Sequence, residues 1–254
     1  MADLYTWSEL VSPEETSAEE VLTLTSIEDD KLPIHQTGDE FTISGTGEDS
    51  NGNYVDDNKI SVCVDSVQIA DDLQLLAQDR VPEQLLAEVG ADGKLVDNTL
   101  SYVKYGDGVD SVDQIIKTEN VKQKLVYATV TYTNRSDEEI THMLYLGALM
   151  LLNHEDGIYE IYDPGDQSGN EFDRVIWNGG SKTPEVQYCS VSEDYGNGGN
   201  YISSLKPDES VQVDMAWIVN ESDLDHMYLN INGDGTAYEF SDATLKMGLV
   251  DISR

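Results

Sequence analysis

The chain has 254 residues, 39% of them hydrophobic, which is enough to bury one large core or two modest ones. Fifty acidic residues against 14 basic ones leave a formal charge of −36. Such a surface repels phosphate backbones and anionic bilayers, so no nucleic acid is expected as a partner.

No segment reaches the ~18 apolar residues that cross a bilayer. The opening Met1-Ala2-Asp3-Leu4 lacks the basic and apolar regions of a signal peptide, so an exported protein of this sequence is expected to have lost its targeting segment. Residues 1–32 read as an acidic leader or spacer, with Glu14, Glu15, Glu19, Glu20 and Glu28-Asp29-Asp30. Within it, Val21-Leu22-Thr23-Leu24-Thr25 alternates and suits one edge strand. The folded part is expected over residues 33–254.

Glu40-Phe41-Thr42-Ile43 and the run from Ile60 to Ile69 alternate apolar and polar residues, the period of half-buried strands. A polar connection, residues 45–58, joins them. Helical spacing is confined to Leu73, Leu75, Leu76 and then Leu85, Leu86 and Val89. Pro82 suits a first helical turn and Gly90 a stop, which predicts a helix over 82–89 inside an insertion at about 71–120. Tyr102-Val103-Lys104-Tyr105 adds a strand candidate, and Asp110 to Ile116 a turn or short helix.

Leu125 to Asn134 is rich in β-branched and aromatic residues and carries the clearest strand signal. Ile140 to Leu152 reads as one long strand or a pair, and Ile158 to Tyr162 as another. Residues 163–200 form a second insertion, rich in Gly, Asp and Asn, with only short pieces such as Val186-Gln187-Tyr188. Ser210 to Val219 is a strand. His226 to Ile231 is predicted to turn through Asn232-Gly233-Asp234-Gly235 and pair with Tyr238-Glu239-Phe240 as a hairpin. The sum is an all-β fold, an antiparallel β-sandwich with a short helical insertion.

Several of these pieces carry a resemblance. Gly38-Asp39-Glu40-Phe41-Thr42-Ile43, the strand from Val62 to Ile69, the strand from Val126 to Asn134 with its Asn-x-Ser-Asp-Glu-Glu-Ile end, and Leu205-Lys206-Pro207-Asp208-Glu209-Ser210-Val211 are its landmarks. Together they resemble a family of uncharacterised immunoglobulin-like domains from secreted and surface lipoproteins of Gram-positive bacteria. That family is similar in fold to a mycobacterial secreted immunogenic antigen. The resemblance spans roughly residues 38–245 and implies an immunoglobulin-like fold, an extracellular or anchored location and no catalytic residues. The insertions at 71–120 and 163–200 depart from the compact family pattern.

Four histidines, His35, His142, His154 and His226, are scattered without metal-ligand spacing, and no nucleophile elbow, phosphate loop or zinc motif occurs. Asn230, Asn232 and Asp234 place oxygen ligands at alternate positions, as do Asp49, Asn51 and Asn53. Both suit a calcium loop but lack the bidentate Glu at the twelfth position; the same residues also suit tight turns bonded to their own backbone. Asp163, Asp166, Asn170 and Asp173 form a third oxygen-rich loop.

Asn134-Arg135-Ser136 and Asn220-Glu221-Ser222 match a glycosylation pattern. Trp177, Tyr188, Tyr195 and Tyr201 surround the long loop and are candidates for a binding surface, against the alternative that they fill sheet faces. Cys63 and Cys189 are too few for a disulfide framework, and either one bridge or two separate thiols is open.

The expected function is a noncatalytic extracellular or cell-surface module that binds a protein or glycan, without a cofactor. Two alternatives stand beside it: a carbohydrate-active hydrolase using loop carboxylates, and a structural spacer stabilised by calcium.

Overall fold

The computed structural model describes residues 24–55, 58–162, 171–177, 185–190 and 200–254. Its first strands are β1 (Ser26–Glu28), β2 (Ile34–Gln36), β3 (Glu40–Thr42) and β4 (Ile60–Ala70), followed by helix α1 (Glu83–Leu86). Next come β5 (Asn98–Lys104), β6 (Gln114–Val121), β7 (Gln123–Asn134), β8 (Ile140–Leu144), β9 (Ala148–Glu155) and β10 (Ile158–Ile161). The last are β11 (Arg174–Trp177), β12 (Tyr188–Cys189), β13 (Tyr201–Leu205), β14 (Ser210–Asn220), β15 (Met227–Asn230), helix α2 (Asp242–Met247) and β16 (Leu249–Asp251). The fold is mostly β, with antiparallel strands in several sheets.

A five-stranded sheet in the order β12-β14-β7-β4-β3 forms the centre. Alternation puts Val62, Val64 and Val67 of β4, Val126, Ala128, Val130 and Tyr132 of β7, and Val213, Met215 and Trp217 of β14 on one face, all buried. β7 and β14 stay in register from Thr133 opposite Ser210 to Gln123 opposite Asn220. On β4 the extra residue Asp65 makes a bulge, which returns Val67 to the inner face after Val64.

Opposite this face lies a six-stranded sheet, β1-β10-β9-β15-β16-β2, parallel only between β16 and β2. It contributes Leu149, Met227, Leu229 and Val250, while the separate pair β8 and β13 contributes Ile140, Met143, Ile202 and Leu205 to the same core. The outer face of the six-stranded sheet carries Ala148, Met150, Leu152, Tyr228 and Leu249, covered by Leu32, Phe240 and the α2 residue Leu245. Ser241 caps α2 by accepting from the Thr244 amide at 3.1 Å.

The outer face of the central sheet has two characters. At one end Leu125, Ala216 and Ile218 are apolar, and Leu73, Leu76, Leu85 and Leu95 pack onto them with Tyr188. Each of those leucines gains about 1.5–3 kcal/mol from burial. At the other end the face is polar: Thr131 Oγ1 donates to Asp65 at 2.6 Å, Thr129 Oγ1 to Asp214 at 2.9 Å, and the hydroxyls of Thr133 and Ser210 lie 2.7 Å apart.

Several expectations are corrected. The segment 71–97 is a leucine cap with a four-residue helix, shorter than the 82–89 expected. The insertion then turns to strand: β5 and β6 lie with β11 in a three-stranded sheet, and Ile115-Ile116, expected in a turn or helix, begins an edge strand. Residues 238–240 do not pair with β15, which runs between β9 and β16. Phe240 instead enters the outer core, its amide bonded to the Leu24 carbonyl at 2.8 Å. A strand at β1 takes the edge beside β10 and Leu32 is buried, so the end of the acidic leader belongs to the folded body.

The two thiols are separate. Cys63 sits opposite Thr131 on the outer face, whereas Cys189 sits opposite Met215 on the inner face. β12 and β4 are three strand spacings apart, about 14 Å at ~4.8 Å each, and a disulfide spans at most ~7 Å between Cα atoms. Burial pushes both thiols up to about 11.

Candidate functional site

The site begins where β4 starts beside the end of β7. The Arg135 amide donates to the Lys59 carbonyl at 2.8 Å, so the β3–β4 connection and the β7–β8 turn leave the sheet side by side. The connection folds tightly: a Cβ on Gly45 would lie 1.9 Å from the Val55 carbonyl oxygen, so only glycine fits. Its tip is organised by Asp49, whose Oδ1 accepts from the amides of Asn51 at 2.8 Å and Asn53 at 2.9 Å. Gly52 completes the turn with φ of 79°.

The neighbouring turn is organised by Asn134, fully buried at the end of β7. Its amide nitrogen donates to the carbonyls of Glu138 at 2.7 Å and Leu205 at 2.8 Å, and its oxygen accepts from the Ser136 amide at 2.8 Å. Ser50 Oγ then donates to Glu138 Oε2 at 2.8 Å and ties the two loops together. Between them lies a cleft of about 360 Å³, lined by Asp49, Tyr54, Lys59, Asp137, Glu138 and Glu139 among others. Tyr54 is 81% exposed at its mouth.

Electrostatically the cleft holds four carboxylates against one ammonium, Lys59. Backbone donation from Asn53, then the Asn53 side chain, holds the Asp49 carboxyl below the usual carboxylate range. That direction is opposite to what a general acid needs, which is a raised value. Beside the cleft, His142 takes φ of 51° within β8 and its Nδ1 lies 3.2 Å from Glu48 Oε2. Glu48 bridges both Tyr54 and Thr141, so this pair braces the connection against β8.

The residues singled out from sequence do not converge here, apart from Asp49 and Asn53. Trp177 is half-buried on β11, opposite Leu100. Tyr188 is buried in the leucine cap and its hydroxyl accepts from the Ala77 amide at 3.2 Å, so of the two readings it takes the sheet-face one and offers no loop surface. Tyr201 is half-buried on β13, opposite Leu144. Tyr195, Asp163, Asp166 and Asn170 lie outside the described residues. Asp173 is spent on Lys104 at 2.8 Å and on the Tyr105 amide at 2.8 Å.

Asn230 and Asn232 are fully buried, and their side chains build a turn. The Asn230 oxygen accepts from the Asn232 amide at 3.0 Å and from its Nδ2 at 3.1 Å, while Asn230 Nδ2 donates to the Thr236 carbonyl at 2.8 Å. Asn232 Nδ2 reaches the Gly248 carbonyl at 3.1 Å, and Asp234 accepts from Ser241. Among the described residues no three His, Cys, Asp or Glu side chains are grouped to hold a metal. The glycosylation patterns are also internal: Asn134 bonds as above, and the Asn220 oxygen accepts from Asn98 at 2.9 Å in a buried pair.

Tyr54 and Glu138 were not singled out from sequence. The available signal was the pairing of two turn motifs, Asp49-x-Asn51-x-Asn53 and Asn134-x-Ser136, at the ends of adjacent strands. No family model, curated protein or solved structure matches this chain.

Proposed function

We propose that the chain is a noncatalytic recognition module on an immunoglobulin-like β-sandwich, displayed outside the cell, and that a protein or glycan of the cell surface docks at the Tyr54 cleft. The observation that carries this reading is a cleft of about 360 Å³ between two loops already cross-bonded through Ser50 and Glu138. Loops ordered before contact lose little freedom on binding, which favours recognition over adaptation. Tyr54 offers rigid, amphipathic contact area, and the surrounding carboxylates attract a cationic or hydroxyl-rich partner.

The immunoglobulin-like reading draws support from topology. Two sheets share one core, and β4, β7 and β14 pair as sheet neighbours although they are not consecutive in the chain. The early chain divides between the sheets, β2 lying parallel to β16 and β3 antiparallel to β4. Fold alone assigns no ligand, so the cleft carries the functional part.

Immobilised cell-envelope fractions and a glycan array provide the test. Tyr54→Ala and Glu139→Lys are expected to weaken binding at least ten-fold, the loss of a central contact residue, while leaving the melting temperature unchanged. Binding that both variants retain in full sinks the cleft as the docking site. Hydrolysis of glycoside substrates, abolished by Glu138→Gln, sinks the noncatalytic reading.

A further inference from the structure

Edges of β-sheets are ordinarily kept short or blunted, because their unpaired amides and carbonyls template association. Most edges here obey: β1, β2 and β3 have three residues each, β12 has two and β11 four. The paired strands β8 and β13 have five residues each, and β6 is the longest edge among the described residues. It runs for eight residues, is bonded on one side to β5, and forms the outer strand of the order β11-β5-β6.

The start of this edge and the connection leading into it are also where apolar side chains gather in solvent. Eleven large hydrophobic residues are exposed among those described, and five of them, Tyr105, Val109, Val112, Ile115 and Ile116, lie within residues 105–116. Val112, in the connection just before β6, is 78% exposed, and Ile115 on the strand itself is 63% exposed, though a strand residue of that kind is normally turned to a core. A concentration of this sort marks a surface that is covered by something else.

We propose that β6 is a self-association edge through which two copies of this chain pair antiparallel about a two-fold axis at Thr118. Strands paired in this way put Lys117 of each copy opposite Glu119 of the other, with the bulged Ile115-Ile116 flanking the paired segment on each copy. The contact is thus self-complementary in charge, as a closed two-fold interface requires. An edge lysine usually deters pairing, but Lys117 is held by Glu119 at 2.5 Å and lies 4.6 Å from the Tyr102 ring centre. Its charge is therefore partly cancelled, and its position is fixed on the face where the opposing Glu119 arrives. Each copy carries a formal charge of −36, so the association is weak at low salt and strengthens as salt screens the repulsion.

Sedimentation equilibrium of the full chain, at low and high sodium chloride, reads the proposal directly. The wild type is expected to dimerise with a dissociation constant of roughly 10–100 µM, in keeping with a small interface. Lys117→Glu and Glu119→Lys, each alone, place like charges at both symmetric contacts and are expected to weaken the dimer about ten-fold or more. An equimolar mixture of those two variants restores opposite charges at both contacts and regains association. Monomeric wild type over the whole range, variants that dimerise as the wild type does, or a mixture that stays monomeric would each overturn the proposal.

Discussion

Replacing Asn230 by Ala separates a structural turn from a cation site. Asn230 is fully buried, and its side chain makes two bonds to Asn232 and one to the Thr236 carbonyl, at 2.8–3.1 Å. Ala removes all three and leaves the Asn232 amide and the Thr236 carbonyl without those partners. At about 1–3 kcal/mol for each buried polar group orphaned, the cost is about 4 kcal/mol. A chain of this size loses ~2–4 °C per kcal/mol, so the melting temperature should fall by roughly 10 °C. Asp234→Ala, at an exposed position, should cost only about 1 kcal/mol. Differential scanning calorimetry with millimolar calcium and with chelator is the assay, and the two curves should coincide for wild type and both variants. An Asn230→Ala protein within about 1 kcal/mol of wild type would refute the turn argument. A calcium-dependent rise in the wild type that vanishes in Asn230→Ala would show that these oxygens coordinate a cation.

Other outcomes follow from the same geometry. A Cβ at Gly147 would lie 2.9 Å from both Met215 Sδ and Trp217 Cζ2, so Gly147→Ala should cost about 1–3 kcal/mol in denaturant unfolding, with an altered near-ultraviolet tryptophan signal. Both thiols are pushed up to about 11 by burial, so iodoacetamide at pH 8 should modify the native protein slowly and the unfolded protein at two sites. An intact mass lacking two hydrogens would instead reveal a bridge. The amides of Val109, Ser111 and Asp110 hold the Asp107 carboxyl down at about 2, below the ~3.9 of a free aspartate. Its support of the 105–113 loop is therefore complete above the free value and lost as pH falls through about 2. The three amide resonances should titrate together with a midpoint near 2, and a midpoint near 4 would contradict the assignment.

The long central strands were legible because over much of their length burial is one-sided. β7 and β14 read as strands because Val130, Tyr132, Val213 and Met215 alternate with Thr129, Thr131, Gln212 and Asp214. β6 was not legible, because its residues answer to no core: Ile115 and Ile116 are adjacent, Ile116 is an extra, bulged residue between the paired Ile115 and Lys117, and the period of two is broken. The hairpin after β15 failed for a different reason. Asn230 and Asn232 look like ordinary turn residues, but burial makes them the framework that sends the chain to α2. The cleft was half legible: Asp49 and Asn53 stood out by spacing, whereas Tyr54 and Glu138 meet only through the third dimension. For Tyr188 the sequence left a loop surface and a sheet face open, because the leucines that bury it come from residues 73–95, far away in the chain.

The parallel pairing of β2 with β16 gives the molecule a mechanical grain. Because the two strands run in the same direction, tension entering before β2 and leaving after β16 slides one along the other. Once β1 has yielded, the ladder that sets Leu249, Val250 and Asp251 beside Ile34, His35 and Gln36 is loaded all at once instead of being unzipped bond by bond. A chain held at both ends would resist pulling at this clasp, with the inner core sheltered behind it.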